Sequence, residues 1–142
     1  MILADFTVPG IPRPKGSKRA LGPGRMVESS RYVGAWQAQI TAAAWTYRLS
    51  AVPTAGPVRV TCLFTFPRPR SHYRTGRHAT ELRDDAPAFH TARPDVDKLI
   101  RAVYDAITAS GAIWRDDSQV AQSSALKVYG INPGVRITVE AL

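Results

Sequence analysis

Four acidic side chains in the second part of this chain have the type and spacing for metal-assisted chemistry on phosphate esters. Asp95 and Asp97 lie in the run Arg93-Pro94-Asp95-Val96-Asp97-Lys98-Leu99-Ile100-Arg101, and Asp116-Asp117 follow Trp114-Arg115. Carboxylates gathered this closely repel one another unless a positive group lies among them. Their usual occupant is a hard divalent cation such as Mg²⁺. The surrounding chain is basic, with 19 Lys and Arg against 11 Asp and Glu, a formal charge of +8 and a pI near 10.3. Residues 1–93 hold fourteen basic and five acidic side chains, a net of +9; residues 94–142 hold five and six, a net of −1. A positive surface to hold phosphates and an acidic pocket to hold ions are what a metal-dependent nuclease requires.

Other chemistries find less support. The single cysteine, Cys62, excludes an internal disulfide and a cysteine zinc cluster. His72, His78 and His90 have no mutual ligand spacing, so they read as phosphate contacts or surface residues rather than a metal set. The opening Met1-Ile2-Leu3-Ala4 is broken by Asp5, and no apolar run approaches the roughly 18 residues of a membrane span. A cytoplasmic protein with neither a membrane partner nor a nucleotide cofactor is expected.

The elements that must position the acids can be read from periodicity. A chain of 142 residues makes a single domain, 1–142. Ile2 to Val8 reads as a strand. The stretch from Pro12 to Arg19 reads as a basic loop, since Pro12, Pro14 and Gly16 oppose regular structure. Val33 to Leu49 has helical spacing through Trp36, Ile40, Ala44 and Tyr47. Val58, Val60, Cys62, Phe64 and Phe66 alternate with Arg59, Thr61, Leu63 and Thr65 as in a half-buried strand. Residues 67–93 are aperiodic and rich in arginine, a loop that DNA phosphates could order.

A second helix starts at Asp95, because Val96, Leu99, Ile100, Val103 and Ile107 form a core-facing stripe and Gly111 suits its end. Gln119 to Tyr129 and Val135 to Glu140 read as strands. The short Gly130–Gly134 connection predicts that these two pair as an antiparallel hairpin. The order β-α-β-α-β-β predicts an α+β fold: a small mixed sheet with two main helices on one face.

Within a regular helix Asp95 and Asp97 would lie about 200° apart. At a helix start both can turn toward one point, where the positive end of the helix eases their crowding. If Asp116 and Asp117 enter a strand, only one of them can join that point, since strand side chains alternate. Taken singly, Asp95 could be a plain N-cap, Asp97 a surface partner of Arg101, and Asp116-Asp117 a turn.

Asp95-Val96-Asp97-Lys98-Leu99, Arg101, Asp105-Ala106-Ile107-Thr108, Gly111 and Trp114-Arg115-Asp116-Asp117-Ser118-Gln119-Val120 together resemble the signature of the RusA family of Holliday-junction resolvases. Pro9-Gly10-Ile11-Pro12-Arg13-Pro14-Lys15-Gly16 is similar to the family's opening. The resemblance implies a RusA-like domain acting as a homodimeric endonuclease. It would need Mg²⁺, or Mn²⁺ in its place, and would nick two strands of a four-way junction symmetrically, in recombination and repair.

The family's metal-holding, catalytic carboxylates fall on Asp95, Asp97 and Asp117, with Asp116 supporting from behind, and its catalytic basic residue falls on Arg101. Two positions depart from the best-studied members: Lys98 stands for Asn and Arg101 for Lys. An arginine keeps the charge but is unsuited to proton transfer. The Lys98-Leu99-Ile100-Arg101 version resembles phage-borne and prophage-borne relatives, for which a broader branched-DNA or flap nuclease is the alternative. Backbone contacts are expected from Arg13, Lys15, Lys18, Arg19, Arg68, Arg70, Arg74, Arg93 and Lys98.

Overall fold

The computed structural model describes residues 1–16, 18–22, 25–28 and 32–142. Six strands and two helices follow in the order β1 (Ile2–Pro9), β2 (Lys18–Gly22), β3 (Arg25–Glu28), α1 (Val33–Tyr47), β4 (Val58–Phe66), α2 (Val96–Ser110), β5 (Val120–Tyr129) and β6 (Gly134–Ala141). The main sheet is mixed, ordered β1-β6-β4-β5, with β4 and β5 parallel and the other neighbours antiparallel. This is an α+β domain, as expected from the sequence, with one addition. The β2–β3 pair forms a separate two-stranded sheet, so the basic segment expected to be loop up to Arg19 turns into strand at Lys18.

Alternation dictates how the sheet is used. Val58, Val60, Cys62, Phe64 and Phe66 of β4 and Val135, Ile137 and Val139 of β6 are buried on one side. The opposite side is polar, tied by Arg59 to Glu140 at 2.9 Å and by Arg136 to both carboxylate oxygens of Asp5 at 3.0 and 3.1 Å. Such one-sided amphipathicity is usual for sheets with antiparallel pairing. The buried side takes Trp36, Ile40 and Ala44 of α1, and Leu99, Val103 and Ile107 of α2. Gln37 and Thr41 of α1 donate to the Ala102 and Ala106 carbonyls, both at 3.0 Å, and lock the helices together. Tyr47, read as part of the α1 stripe, is half exposed and stacks on Phe6 instead.

The expected β5–β6 hairpin does not form. β4 lies between them, pairing with β5 on one side and β6 on the other. The polar run Gln122-Ser123-Ser124 is exposed and suits the edge of the sheet, whereas one whole face of β4, from Val58 to Phe66, is buried and takes the centre. The 130–133 connection therefore steps over the end of β4, with Gly130 N donating to the Phe66 carbonyl at 3.0 Å. Two inter-strand spacings, roughly 10 Å, are within reach of four residues. At the far side of this step only glycine fits at position 134, where a Cβ would stand 2.5 Å from the Val8 carbonyl oxygen.

Candidate active site

Helix α2 presents Asp97, Arg101 and Asp105 at four-residue intervals, and hence on one face. Together with Lys15, Tyr104 and Asp117 they line an open pocket of about 690 Å³. The backbone N–H of Lys15 donates to the Lys98 carbonyl at 3.0 Å, and its ammonium lies 2.9 Å from Asp105. That double tie brings the Pro12–Gly16 segment against the helix. Asp105 belongs to the run that resembles the family signature but carries no expected site role. The signal for it was its place eight residues after Asp97, on the same helical face.

Asp117 reaches the pocket from a single 3₁₀ turn, Asp117–Gln119, rather than from the strand expected to begin at Gln119. The two adjacent acids have separate tasks there. Asp116 caps the turn by accepting from Ser118 N at 3.0 Å, and Gln119 Oε1 accepts in return from Asp116 N at 3.0 Å. Hydrogen bonds from Ser118 hold the Asp116 carboxyl below its ordinary value. Gln119 Nε2 donates to the Thr54 and Gly56 carbonyls, both at 2.9 Å, and fastens the turn to the body of the domain. Asp117 is left to face Asp97 across the pocket.

Trp114 anchors the same segment from below. It is fully buried, donates Nε1–H to Thr108 Oγ1 at 2.8 Å, and meets Tyr104 edge-on at 5.7 Å. Tyr104 in turn shares a 2.6 Å hydrogen bond with Ser123. Burial, with a smaller contribution from Asp117, pushes its phenol up to about 12. Tyr104 therefore stays protonated at neutral pH and can donate a hydrogen bond but cannot act as a base.

Most acidic side chains among the described residues are paired, as Asp5, Glu140, Asp84 and Asp105 illustrate. Asp97 and Asp117 are exceptions, as is Asp85: among the described residues none of the three makes an ion pair or a side-chain hydrogen bond, and neither does Arg101 beside the first two. The surface pair once conceivable between Asp97 and Arg101 is absent from that set. Asp95 occupies the N-cap position with extended dihedrals, yet its carboxylate accepts no bond from the helix amides. It lies 4.0 Å from Lys98 and belongs to a neighbouring pocket of about 650 Å³ with Arg13, Arg93 and His90.

The structure thus joins Asp97 and Asp117, and sets Asp95 on the other side of the first turn of α2. Among the described residues no group of three or more His, Cys, Asp or Glu side chains is disposed to hold a metal ion. Two hard oxygen donors facing one pocket nonetheless suit Mg²⁺. That ion commonly takes one or two carboxylates and fills its other positions with water and substrate phosphate.

The expected DNA contacts divide in the same manner. Arg13, Arg93 and Lys98 line the Asp95 pocket, and Arg13 lies over the Tyr32 ring at 4.7 Å. The side chains of Lys18 and Arg19 lie outside the described residues. The 67–93 segment is not an unstructured loop. Short 3₁₀ turns at Arg70–His72 and Gly76–His78, and bridges from Tyr73 to Leu82 and Phe89 to Val128, organise it.

Several of its arginines maintain that organisation. Arg68 donates to the Pro87 carbonyl at 2.7 Å, Arg74 pairs with Asp84 at 2.9 Å, and Arg83 donates to the Tyr73 carbonyl at 3.1 Å. These three and Arg70 line a cavity of about 1050 Å³.

His90, read as a phosphate contact or surface residue, is instead 7% exposed and stacked on Phe66 at 4.0 Å. Burial first, and then the Lys127 charge, hold its pKa below the ordinary 6.5. The unfolded chain therefore takes up this proton more readily than the folded one. Stability contributed here is lost as pH falls through 6.5 toward the folded value. His90→Phe, which keeps the stacked ring, should flatten the fall in melting temperature between pH 7.5 and pH 5.5. An unchanged slope would place the responsible proton elsewhere.

A one-sided α+β domain with unpaired acids beside a group of cations has the features expected of a protein that acts on polyanion backbones. The family model described as "Endodeoxyribonuclease RusA" matches residues 6–140. The chain belongs to the RusA endodeoxyribonuclease family. No curated protein matches it. No helix among the described residues is long and apolar enough to cross a membrane.

Proposed function

We propose that this chain is a Mg²⁺-dependent, structure-selective endodeoxyribonuclease that resolves four-way DNA junctions by paired symmetric nicks, in recombination and repair. The observation that carries this reading is the pair of uncommitted carboxylates, Asp97 and Asp117, facing one pocket beside an uncommitted Arg101. Family membership supplies the substrate class. The proposed enzyme is a homodimer of the cytoplasm, encoded by a bacterium or by a phage or prophage.

Asp97 and Asp117, with Asp95 across the turn, are the residues that would hold the ion; Mn²⁺ could replace Mg²⁺. When bound, the ion supplies activation of a water molecule and neutralisation of the departing 3′ oxygen. Arg101 offers a permanently charged planar fork to the scissile phosphate and takes no part in proton transfer. Tyr104 remains protonated at the edge of the same pocket, its hydroxyl bonded to Ser123. Arg13, Arg93 and Lys98 hold the flanking backbone, which sets register without reading bases. Selectivity for a junction would come from the separation of two sites in a dimer matched to two exchanging strands.

The test is to incubate the chain with Mg²⁺ and, separately, a four-way junction, a flap, a duplex and a single strand. Symmetric nicks in the junction, ending in ligatable 5′-phosphate and 3′-hydroxyl, are expected. Equal cutting of the flap would reassign the chain to the broader branched-DNA nucleases, and no cutting of any substrate would overturn the reading. A companion measurement is thermal. Mg²⁺ at about 100 times its dissociation constant should stabilise the protein by roughly 2.7 kcal/mol. Asp97→Asn combined with Asp117→Asn should abolish that shift.

A further inference from the structure

The pocket holding Asp95 is built differently from the one holding Asp97 and Asp117. Its lining mixes apolar and ring side chains, Ile11, Pro14, Phe66 and Pro67 with His90, with the charged Arg13, Arg93 and Lys98 and the single acid Asp95. Its volume of about 650 Å³ falls within the roughly 300–1,000 Å³ of small-molecule pockets. A phosphate site alone needs cations and water, not a wall of proline, isoleucine and aromatic rings. A protein surface used only to hold duplex DNA needs no pocket at all.

His90 supplies an independent observation. It is more than nine-tenths buried at this pocket, stacked on Phe66 and tilted against Tyr129 at 5.0 Å. Its Nδ1 is buried with no hydrogen-bond partner among the described residues. A buried nitrogen left without a partner costs free energy that an apolar ring in the same place would not. The fold therefore keeps a hydrogen-bonding group here that the described residues do not use.

Apolar and ring side chains, a ring nitrogen with no partner among the described residues and three cations together suit a nucleotide. A base stacked in a duplex cannot enter, because both of its faces are covered. We propose that this pocket receives one unpaired nucleotide, its base against the Ile11–Pro67 wall and its phosphate on Arg13, Arg93 and Lys98. The proposal rests on the reading of the chain as a branched-DNA nuclease and adds the feature of the branch that is recognised. Asp95 and Lys98 open on this pocket and Asp97 and Arg101 on the next, so the first turn of α2 divides the base subsite from the cutting site. A nucleotide held here would deliver its neighbouring phosphate to that turn. Exposure of a base at a branch would thereby become a condition for productive binding.

The experiment compares affinities, without divalent cation, for a duplex, the same duplex with one extrahelical nucleotide, and the same bulge made abasic. The base-bearing bulge should bind roughly tenfold tighter than the abasic one, in keeping with the usual worth of one base stacked on a protein ring. Ile11→Trp fills the pocket from a position that is 44% exposed, so the fold should tolerate it. In that variant the difference should collapse while duplex affinity stays unchanged. Equal affinity for base-bearing and abasic bulges in the wild-type chain would overturn the proposal, leaving a phosphate site only. So would a base effect that survives Ile11→Trp.

Because no bond is cut in this assay, its outcome is separable from that of the cleavage test. A base effect without cleavage would sink the nuclease reading alone, and cleavage without a base effect would sink the subsite alone.

Discussion

Asparagine at position 97 or 117 should lower the cleavage rate by about three orders of magnitude while leaving junction affinity unchanged or tighter. Each substitution removes a ligand charge but almost no volume, and each group lies in a pocket where it makes no bond that the fold needs. Several kcal/mol of transition-state stabilisation are expected to go with the ion, and each 1.36 kcal/mol is about a factor of ten in rate. Binding should not suffer, since removing negative charge beside a phosphate cannot weaken its attraction to the protein.

Asp95→Asn should behave in the same manner, since Asp95 is the third residue that would hold the ion. A variant with wild-type rate would remove its residue from the site. Asp116 provides the contrast. Its carboxylate caps the turn through Ser118, and Asn caps nearly as well, so Asp116→Asn should cut almost normally. A loss there comparable to that of Asp117→Asn would reverse the assignment of the two. Single-turnover cleavage of a four-way junction at saturating protein, with affinity measured separately, distinguishes these outcomes.

Trp114→Ala should cost about 3–5 kcal/mol of stability. The side chain is fully buried, closes the core beneath the active pocket and satisfies its own N–H on Thr108. Its removal leaves a cavity between α2 and the Thr54 bridge, along with an edge of Tyr104 that has lost its ring partner. The melting temperature should fall by on the order of 10 °C or more. Trp114→Phe keeps most of the ring and gives up the hydrogen bond, so its cost should be nearer 1–2 kcal/mol. Urea unfolding of the three proteins measures the series, and an alanine variant within 1 kcal/mol of wild type would show that the core closes over the gap. Trp114 is three residues before Asp117, so the alanine variant should also lose cleavage through misplacement of that carboxylate.

Much of this architecture was legible in the order of residues. The five alternating apolar positions of β4 and the α2 stripe through Leu99, Val103 and Ile107 are local patterns. A strand or helix of given period can bury them in only one way. The N-cap at Asp95 and the left-handed Gly111 that ends α2 with φ 62° are also local, set by dihedral preferences within a few residues. So is the grouping of acids, since the types and spacing of Asp95, Asp97 and Asp116-Asp117 are what raises the expectation of a cation site.

What the tertiary structure decided is non-local. The four-residue link between β5 and β6 suits a hairpin, yet β4 takes the place between them because its wholly buried face belongs at the centre and the polar Gln122-Ser123-Ser124 run belongs at an edge. No window of sequence contains that comparison, which is between strands more than fifty residues apart. The 67–93 segment has no period because its order comes from side chains tied to backbone carbonyls, such as Arg68 to Pro87, and from bridges to β5. Burial of His90 depends on Phe66 and Tyr129 arriving from two different strands.

The division of the acids follows from the same cause. Spacing placed Asp95 and Asp97 on one helix start, but only the approach of the 3₁₀ turn at Asp117 on one side and of Arg13 and Arg93 on the other decided which pocket each would face. Periodicity determines which side of an element is apolar. Which element meets that side is determined by the packing of the whole chain.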